Sequence, residues 1–207
     1  MNIARILFVY PFKVWRGIGR KVSNLHDNII VKFLLKANDI TFHSIAAKGV
    51  PYVSKALSGK CIIGDHFAIN SRISAAPTAN VLRSVLFINR DASLKIGNHV
   101  GMSGASLICH YSITIEDFVK IGAGAKIIDT DFHALDSEIR ASDQDFRHKA
   151  KAPVLIKKNA FIGAFSIVLK GVTIGENSIV GAGSVVTKSV PDNEIWAGNP
   201  AKFIRKI

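Results

Sequence analysis

The chain is short of cysteine: Cys61 and Cys109 are the only two among 207 residues, and they stand far apart. That excludes a disulfide framework and a cysteine-based zinc cluster, and two small buried thiols in a reducing compartment are expected. Long apolar runs are missing as well. The run "ILFVY" gives way at once to Pro11 and Lys13, far short of the roughly 20 residues of a membrane-spanning helix. It is also too short for the core of a secretory signal, and no small-residue cleavage site follows, so a cytoplasmic location is expected. Proline is scarce at 6 residues, charged residues make up 20% and apolar residues 48%, a composition that excludes a disordered chain and allows a real core.

Negative charge is the other shortage. Fifteen Asp and Glu face 27 Lys and Arg, for a net charge of +12. Residues 1–60 hold 10 Lys and Arg against 2 Asp, or +8, and the remainder holds 17 against 13, or +4. A basic segment attracts anionic partners at long range: nucleic acid, a membrane face or an acidic substrate. No zinc-finger spacing, RNP-like aromatic motif or leucine heptad accompanies the charge, so no nucleic-acid partner is expected.

What the chain does have is a period of six. Positions 156, 162, 168, 174, 180 and 186 read Ile, Ile, Val, Ile, Val, Val, and four residues after each stands a small or β-branched residue: Ala160, Ser166, Val172, Ser178, Ser184, Val190. Glycine follows the aliphatic position at 163, 175 and 181. The same beat occurs at Ile96, Met102 and Ile108, slips by one, and resumes at Ile115, Ile121 and Ile127, with fainter traces at Ile63, Ile69, Ile88 and Leu94. A helix does not repeat every six residues, nor does an isolated strand, but a parallel β-helix does when each hexad makes one flat side and one turn. The aliphatic residues are expected inside the prism, and the glycines at corners that need a positive φ.

Residues 1–59 form a separate basic segment, and 60–207 the repeat region. Within "NLHDNIIVKFLLKA" (24–37), Leu25, Ile29, Phe33 and Ala37, with Ile30 and Leu34, mark one helical stripe behind Ser23 as N-cap. Its apolar side is expected to dock on the solenoid or a neighbouring subunit. The preceding "YPFKVWRGIGRKV" mixes aromatics with cations and also suits peripheral contact with the inner face of a membrane.

The hexads, the tail "SVVTKSVPDNEIWAGNPAKFIRKI" (184–207) and the loop "DTDFHALD" (129–136) together resemble the hexapeptide-repeat acyltransferases, most closely the maltose, galactoside and polysaccharide O-acetyltransferase branch. The resemblance covers roughly residues 60–207. It implies an all-β fold, a left-handed parallel β-helix with an extruded loop at about 129–153, assembled as a homotrimer. It implies acetyl-CoA as co-substrate, no metal, and a sugar or glycan hydroxyl as acceptor. His133 takes the place of the catalytic base, and carrier contacts fall on Ala164, Ala182, Thr187, Lys188, Lys202 and Arg205. Family members often carry tryptophan where Phe161 stands and asparagine near Ser103, which makes these two the candidates for the acceptor pocket.

The chemistry suits these residues. A neutral imidazole can take a hydroxyl proton near neutral pH. Asp129, Asp131 or Asp136 could hold its other nitrogen, and the sequence leaves the choice open. Lys188 and Arg205 would answer the carrier's phosphates. Histidines at 26, 43, 66, 99, 110, 133 and 148 contain no pair five apart, which disfavours the zinc hydratases that share this solenoid. Two other functions fit the same repeats: acetylation of a small acceptor such as serine or an antibiotic, and a non-catalytic solenoid that binds acyl-CoA.

Overall fold

The computed structural model describes residues 5–72 and 83–207. Three parallel sheets wrap one left-handed prism. The first stacks Thr41–Phe42, Lys60–Ile63, Ser93–Ile96, Ser112–Ile115, Val154–Ile156 and Thr173–Ile174. The second climbs from Ile45–Lys48 through Phe67–Asn70, Gly101–Ser103, Lys120–Ile121 and Phe161–Ile162 to Ile179–Val180, and is extended by Glu194–Ala197 and the antiparallel Lys202–Lys206. The third joins Tyr52–Lys55, Val85–Ile88, Ser106–Cys109, Lys126–Ile128, Ile167–Val168 and Val185–Val186.

The period of six is the geometry of this prism. Ile115 lies under Ile156 and Ile174, Ile121 under Ile162 and Val180, and Ile127 under Val168 and Val186. These ladders are almost wholly buried. Each such side chain contributes about 1.5–3 kcal/mol by leaving water. The small residues four places on turn into the corners: buried Ser166, Ser178 and Ser184 donate to carbonyls of Gly181 and Pro191 at 2.6–2.8 Å, so no hydroxyl is left bare. Cys61 and Cys109 are free and buried, and burial pushes the Cys61 thiol up to about 12 and raises Cys109 too.

Several expectations change. The solenoid begins at Thr41, not at 60, because Thr41–Phe42, Ile45–Lys48 and Tyr52–Lys55 already pair as its first coil. Ile108 is not a ladder residue. The strand Ser106–Cys109 turns Leu107 and Cys109 inward, and Leu107 rather than Ile108 stands beneath Ile127. The one-residue slip in the repeat is therefore absorbed by this longer strand. Gly163, Gly175 and Gly181 do not carry the positive φ. That falls two residues later, on Phe165, Asn177 and Gly183. Glycine at 163 serves coil stacking instead: a Cβ there would stand 2.5 Å from the Ala182 nitrogen.

A single helix, α1 (Tyr10–Ala37), closes the first coil. It starts well before Ser23, which lies mid-helix, and Pro11 suits the first turn because the N–H it lacks would have no partner there. The face that docks is also not the expected stripe. Asp27, Val31 and Leu35 are buried, while Leu25, Ile29 and Phe33 face outward. Polar anchors decide the orientation. The Asn28 side chain pairs with the Ala47 backbone through both its oxygen and its nitrogen, at 2.9 and 3.2 Å, as a neighbouring strand would. Asp27 accepts the Gly49 N–H at 2.6 Å and pairs with Arg72. The open sheet edge is thereby covered. Among the described residues, no helix is long and apolar enough to cross a membrane.

The register correction is testable by chemical denaturation. Leu107→Ala should cost about 2–5 kcal/mol by opening a cavity in the ladder. Ile108→Ala should cost less than about 1 kcal/mol, and similar losses from both would contradict the assignment.

Candidate active site

The hexads break where the chain leaves the edge between the third and first sheets. The neck of the excursion is clamped by an antiparallel bridge between Thr130 and Lys151, with Asp131 N–H donating to the Ala150 carbonyl at 3.0 Å and Ala152 N–H to Asp129 at 3.1 Å. Beyond the neck the loop folds on itself through two single-turn helices, α2 (Ser137–Arg140) and α3 (Asp145–His148). A second prop is the buried His110, whose Nδ1 receives Asn89 Nδ2 at 2.9 Å and Lys149 Nζ at 3.0 Å. Burial, then the Lys149 charge, lowers the His110 pKa and keeps the ring a neutral acceptor. Burial and the neighbouring Lys151 lower that of Lys149.

His133 rides on this loop with its side chain more than half exposed. Its Nδ1 lies 2.6 Å from Asp145 Oδ2, while Asp145 Oδ1 accepts the Ala134 N–H at 2.7 Å. Asp145 itself is buried. The hydrogen bond from His133, then that from Ala134, holds its carboxyl below the ordinary value of 3.8. An ionised carboxylate at Nδ1 keeps the proton on that nitrogen and leaves the Nε2 lone pair to act as a base.

None of the three aspartates expected to orient His133 does so. Asp129 is fully buried and caps the corner below, accepting N–H groups of His110 and Tyr111 at 2.7 and 2.8 Å. Asp131 pairs with Lys170 at 2.8 Å. Asp136 is the N-cap of α2, accepting Glu138 and Ile139 N–H groups at 2.9 Å. The nearest acids in sequence are taken by the backbone and by Lys170, and the acid that reaches the ring is 12 residues downstream. The only sequence cue for Asp145 was its place in a loop already suspected of chemistry.

The carrier candidates fall in two groups. Thr187, Lys188 and Lys202 line one cavity of about 260 Å³ with Trp196, Pro200, Ala201 and Phe203. Thr187 and Lys188 stand on the same prism edge from which the His133 loop departs, two coils higher, a rise of about 10 Å. Lys170, the partner of Asp131, lies on that edge between them. Ala164 and Ala182 sit on the next edge, where the Gly163 and Gly181 turns stack. Arg205 is on the tail strand opposite Ile195 and is not among the cavity's lining residues.

The acceptor candidates are not brought to His133. Ser103 and the exposed Phe161 lie on the second sheet, the one face of the prism that does not border the loop's edge. Ser103 Oγ accepts from Asn70 Nδ2 at 3.0 Å, so an amide does stand beside it, supplied from the coil below. Among the described residues no group of three or more His, Cys, Asp or Glu side chains could hold a metal ion.

The family model of the bacterial transferase hexapeptide, in six repeats, matches residues 153–188. The chain is similar to a galactoside O-acetyltransferase of Lactococcus lactis, 36% identical over 111 residues, which is 50% of this chain and 52% of that protein. It is similar to a probable acetyltransferase of Mycobacterium tuberculosis, 33% identical over 197 residues, 95% of this chain and 57% of that protein. A solved hexapeptide-repeat-containing acetyltransferase of Vibrio cholerae is 31% identical, with a TM-score of 0.50 over 55% of this chain and 62% of that one. The chain spans about half the length of the curated relatives it matches.

The His133–Asp145 bond has a titration signature. Asp145 is depressed in the folded state, so its contribution to loop stability is full above 3.8 and is lost as pH falls through the lowered value. His133→Ala removes the largest cause, and carboxyl-carbon NMR should then show Asp145 titrating at higher pH than in the parent. An unchanged titration would break the pair.

Proposed function

We propose that this chain, similar over residues 153–188 to the bacterial hexapeptide-repeat transferases, moves an acetyl group from acetyl-CoA to a hydroxyl of a sugar or surface-polysaccharide precursor. The observation that carries this reading is His133, oriented by Asp145, on the edge that leads up to the Thr187–Lys188–Lys202 cavity. Nε2 of His133 takes the acceptor proton as the hydroxyl oxygen bonds to the thioester carbonyl carbon. When the carbon–sulfur bond breaks, the imidazolium returns that proton to the leaving thiolate, so atoms and charge balance. Asp145 offsets the imidazolium charge in between and keeps the ring's orientation through both transfers.

Lys188, Lys202 and Arg205 would meet the carrier's phosphates, and Ala164 and Ala182 would leave room for its pantetheine arm. Direct attack within a ternary complex requires no acyl-enzyme and no metal. The base and the acceptor face stand on opposite sides of one prism, so we place each site between neighbouring subunits of a homotrimer, the loop of one facing the second sheet of the next. The basic N-terminal helix fits a location in the cytoplasm at the inner face of the membrane.

The test is acetyl-CoA turnover against a panel of sugars, nucleotide sugars, serine and aminoglycosides. A sugar-dependent release of free thiol is expected. Preference for serine or an antibiotic would reassign the acceptor, and carrier binding without acceptor-dependent release would leave a binding solenoid. With the sugar in hand, His133→Ala should lower kcat by about 10²–10⁴ with carrier affinity unchanged. Lys188→Ala should raise the KM for acetyl-CoA about tenfold or more and leave that for the acceptor near the parent value.

A further inference from the structure

Acetyl transfer makes no use of the outward face of α1. Trp15, Ile18, Val22, Leu25, Ile29 and Phe33 recur at intervals of three or four residues, and each is 58–70% exposed. At 3.6 residues per turn they form one stripe about 27 Å long, opposite the docked face. A continuous apolar stripe of this kind marks a partner.

Charge selects the partner. From residue 5 to 37 the chain carries Arg5, Lys13, Arg16, Arg20, Lys21, Lys32 and Lys36 against the single acid Asp27. Asp27 is buried and already holds Gly49 and Arg72. Two copies meeting stripe to stripe would crowd like charges with no free acid on either helix to answer them. An anionic bilayer answers both features, taking the apolar residues into its headgroup layer and the cations onto its phosphates.

The helix also offers a place for one phosphate. At the edge of the stripe a cavity of about 260 Å³ is lined by Trp15, Arg16, Gly19, Arg20, Ser23 and Arg72. Arg16 and Arg20 line it beside the Trp15 indole, while Arg72 is already paired with Asp27. Arg16 also lies 5.8 Å from the Phe12 ring centroid, and Phe12 6.1 Å from Trp15. Guanidinium donors pair well with phosphate oxygens, and the neighbouring aromatics suit the first carbons of an acyl chain.

We propose that α1 is a membrane-surface helix whose outward stripe enters an anionic bilayer while Arg16 and Arg20 hold the phosphate of one phospholipid headgroup. It deepens the membrane location given above but rests on the geometry of α1, not on acetyl transfer, so the failure of either is visible without the other.

The test is co-sedimentation of the full chain with vesicles of phosphatidylcholine, with and without phosphatidylglycerol, at low and high salt. Binding is expected only to the anionic vesicles, weakening as salt rises. Ile18→Ser with Val22→Ser should reduce binding about tenfold or more, and Arg16→Gln with Arg20→Gln should abolish the preference for the anionic lipid. Both variants should keep the parent's circular dichroism and acetyl-CoA affinity, because these residues are exposed and far along the chain from the carrier cavity. Equal binding to neutral vesicles, or none to either, overturns the proposal. So does displacement by inorganic phosphate at millimolar concentration, which would mark a site for a soluble anion. Loss of subunits by the Ile18, Val22 variant without lipid, seen by light scattering, overturns it as well, because a second copy would then occupy the stripe.

Discussion

Every placement in this protein depends on the requirement that an inward aliphatic residue lie directly above another one coil below. A coil of this size cannot bury its own interior, so each is stable only between neighbours. That stacking leaves little freedom in the backbone. At Gly163 and Gly175 the coils pass so close that even a methyl group would strike the next one. A solenoid built this way tolerates insertion only at its edges, and the His133 loop leaves at an edge, with its neck tied so that the ladders above and below stay in register. The proposed chemistry thus sits where the repeat yields.

The ladders were legible in the sequence because burial demands one residue class at one interval, and Ile156 to Val186 satisfy it without a gap. What was not legible follows from local competition. Ile108 reads as core by its spacing, but a strand of four residues has two inward positions, and the pairing with Lys126–Ile128 assigns them to Leu107 and Cys109. On α1 both sides are apolar, and periodicity alone favours the richer one. The docked side is chosen instead by Asn28 and Asp27, which satisfy backbone groups of Ala47 and Gly49 in the first coil. Leaving those groups bare would cost more than exposing Leu25, Ile29 and Phe33.

The candidate site shows the same limit. His133 stood out as the histidine in the broken repeat, but three acids close to it in sequence competed for the role of its partner. Each has a backbone or lysine partner of its own, and Asp145 is left to reach the ring because α3 carries it back across the loop. Distance along the chain was a poor guide since the loop is compact. The proposed acceptor face carries a further lesson. The asparagine missing near Ser103 has a stand-in one coil below, where Asn70 donates to the serine oxygen. A repeat protein can supply the same chemical group from an adjacent coil, 33 residues earlier in the chain.

The central claim is that the base on the loop edge of one subunit works against the second sheet of another. Mixed oligomers of His133→Ala and Ser103→Trp chains test it most directly, each variant being expected to lose most of its turnover alone. If the site is shared, subunits that exchange at random should regain about a quarter of the parental turnover, because that fraction of interfaces joins an intact loop to an intact face. Mixed oligomers that form, as shown by native mass spectrometry, yet turn over no faster than either variant alone would contradict it.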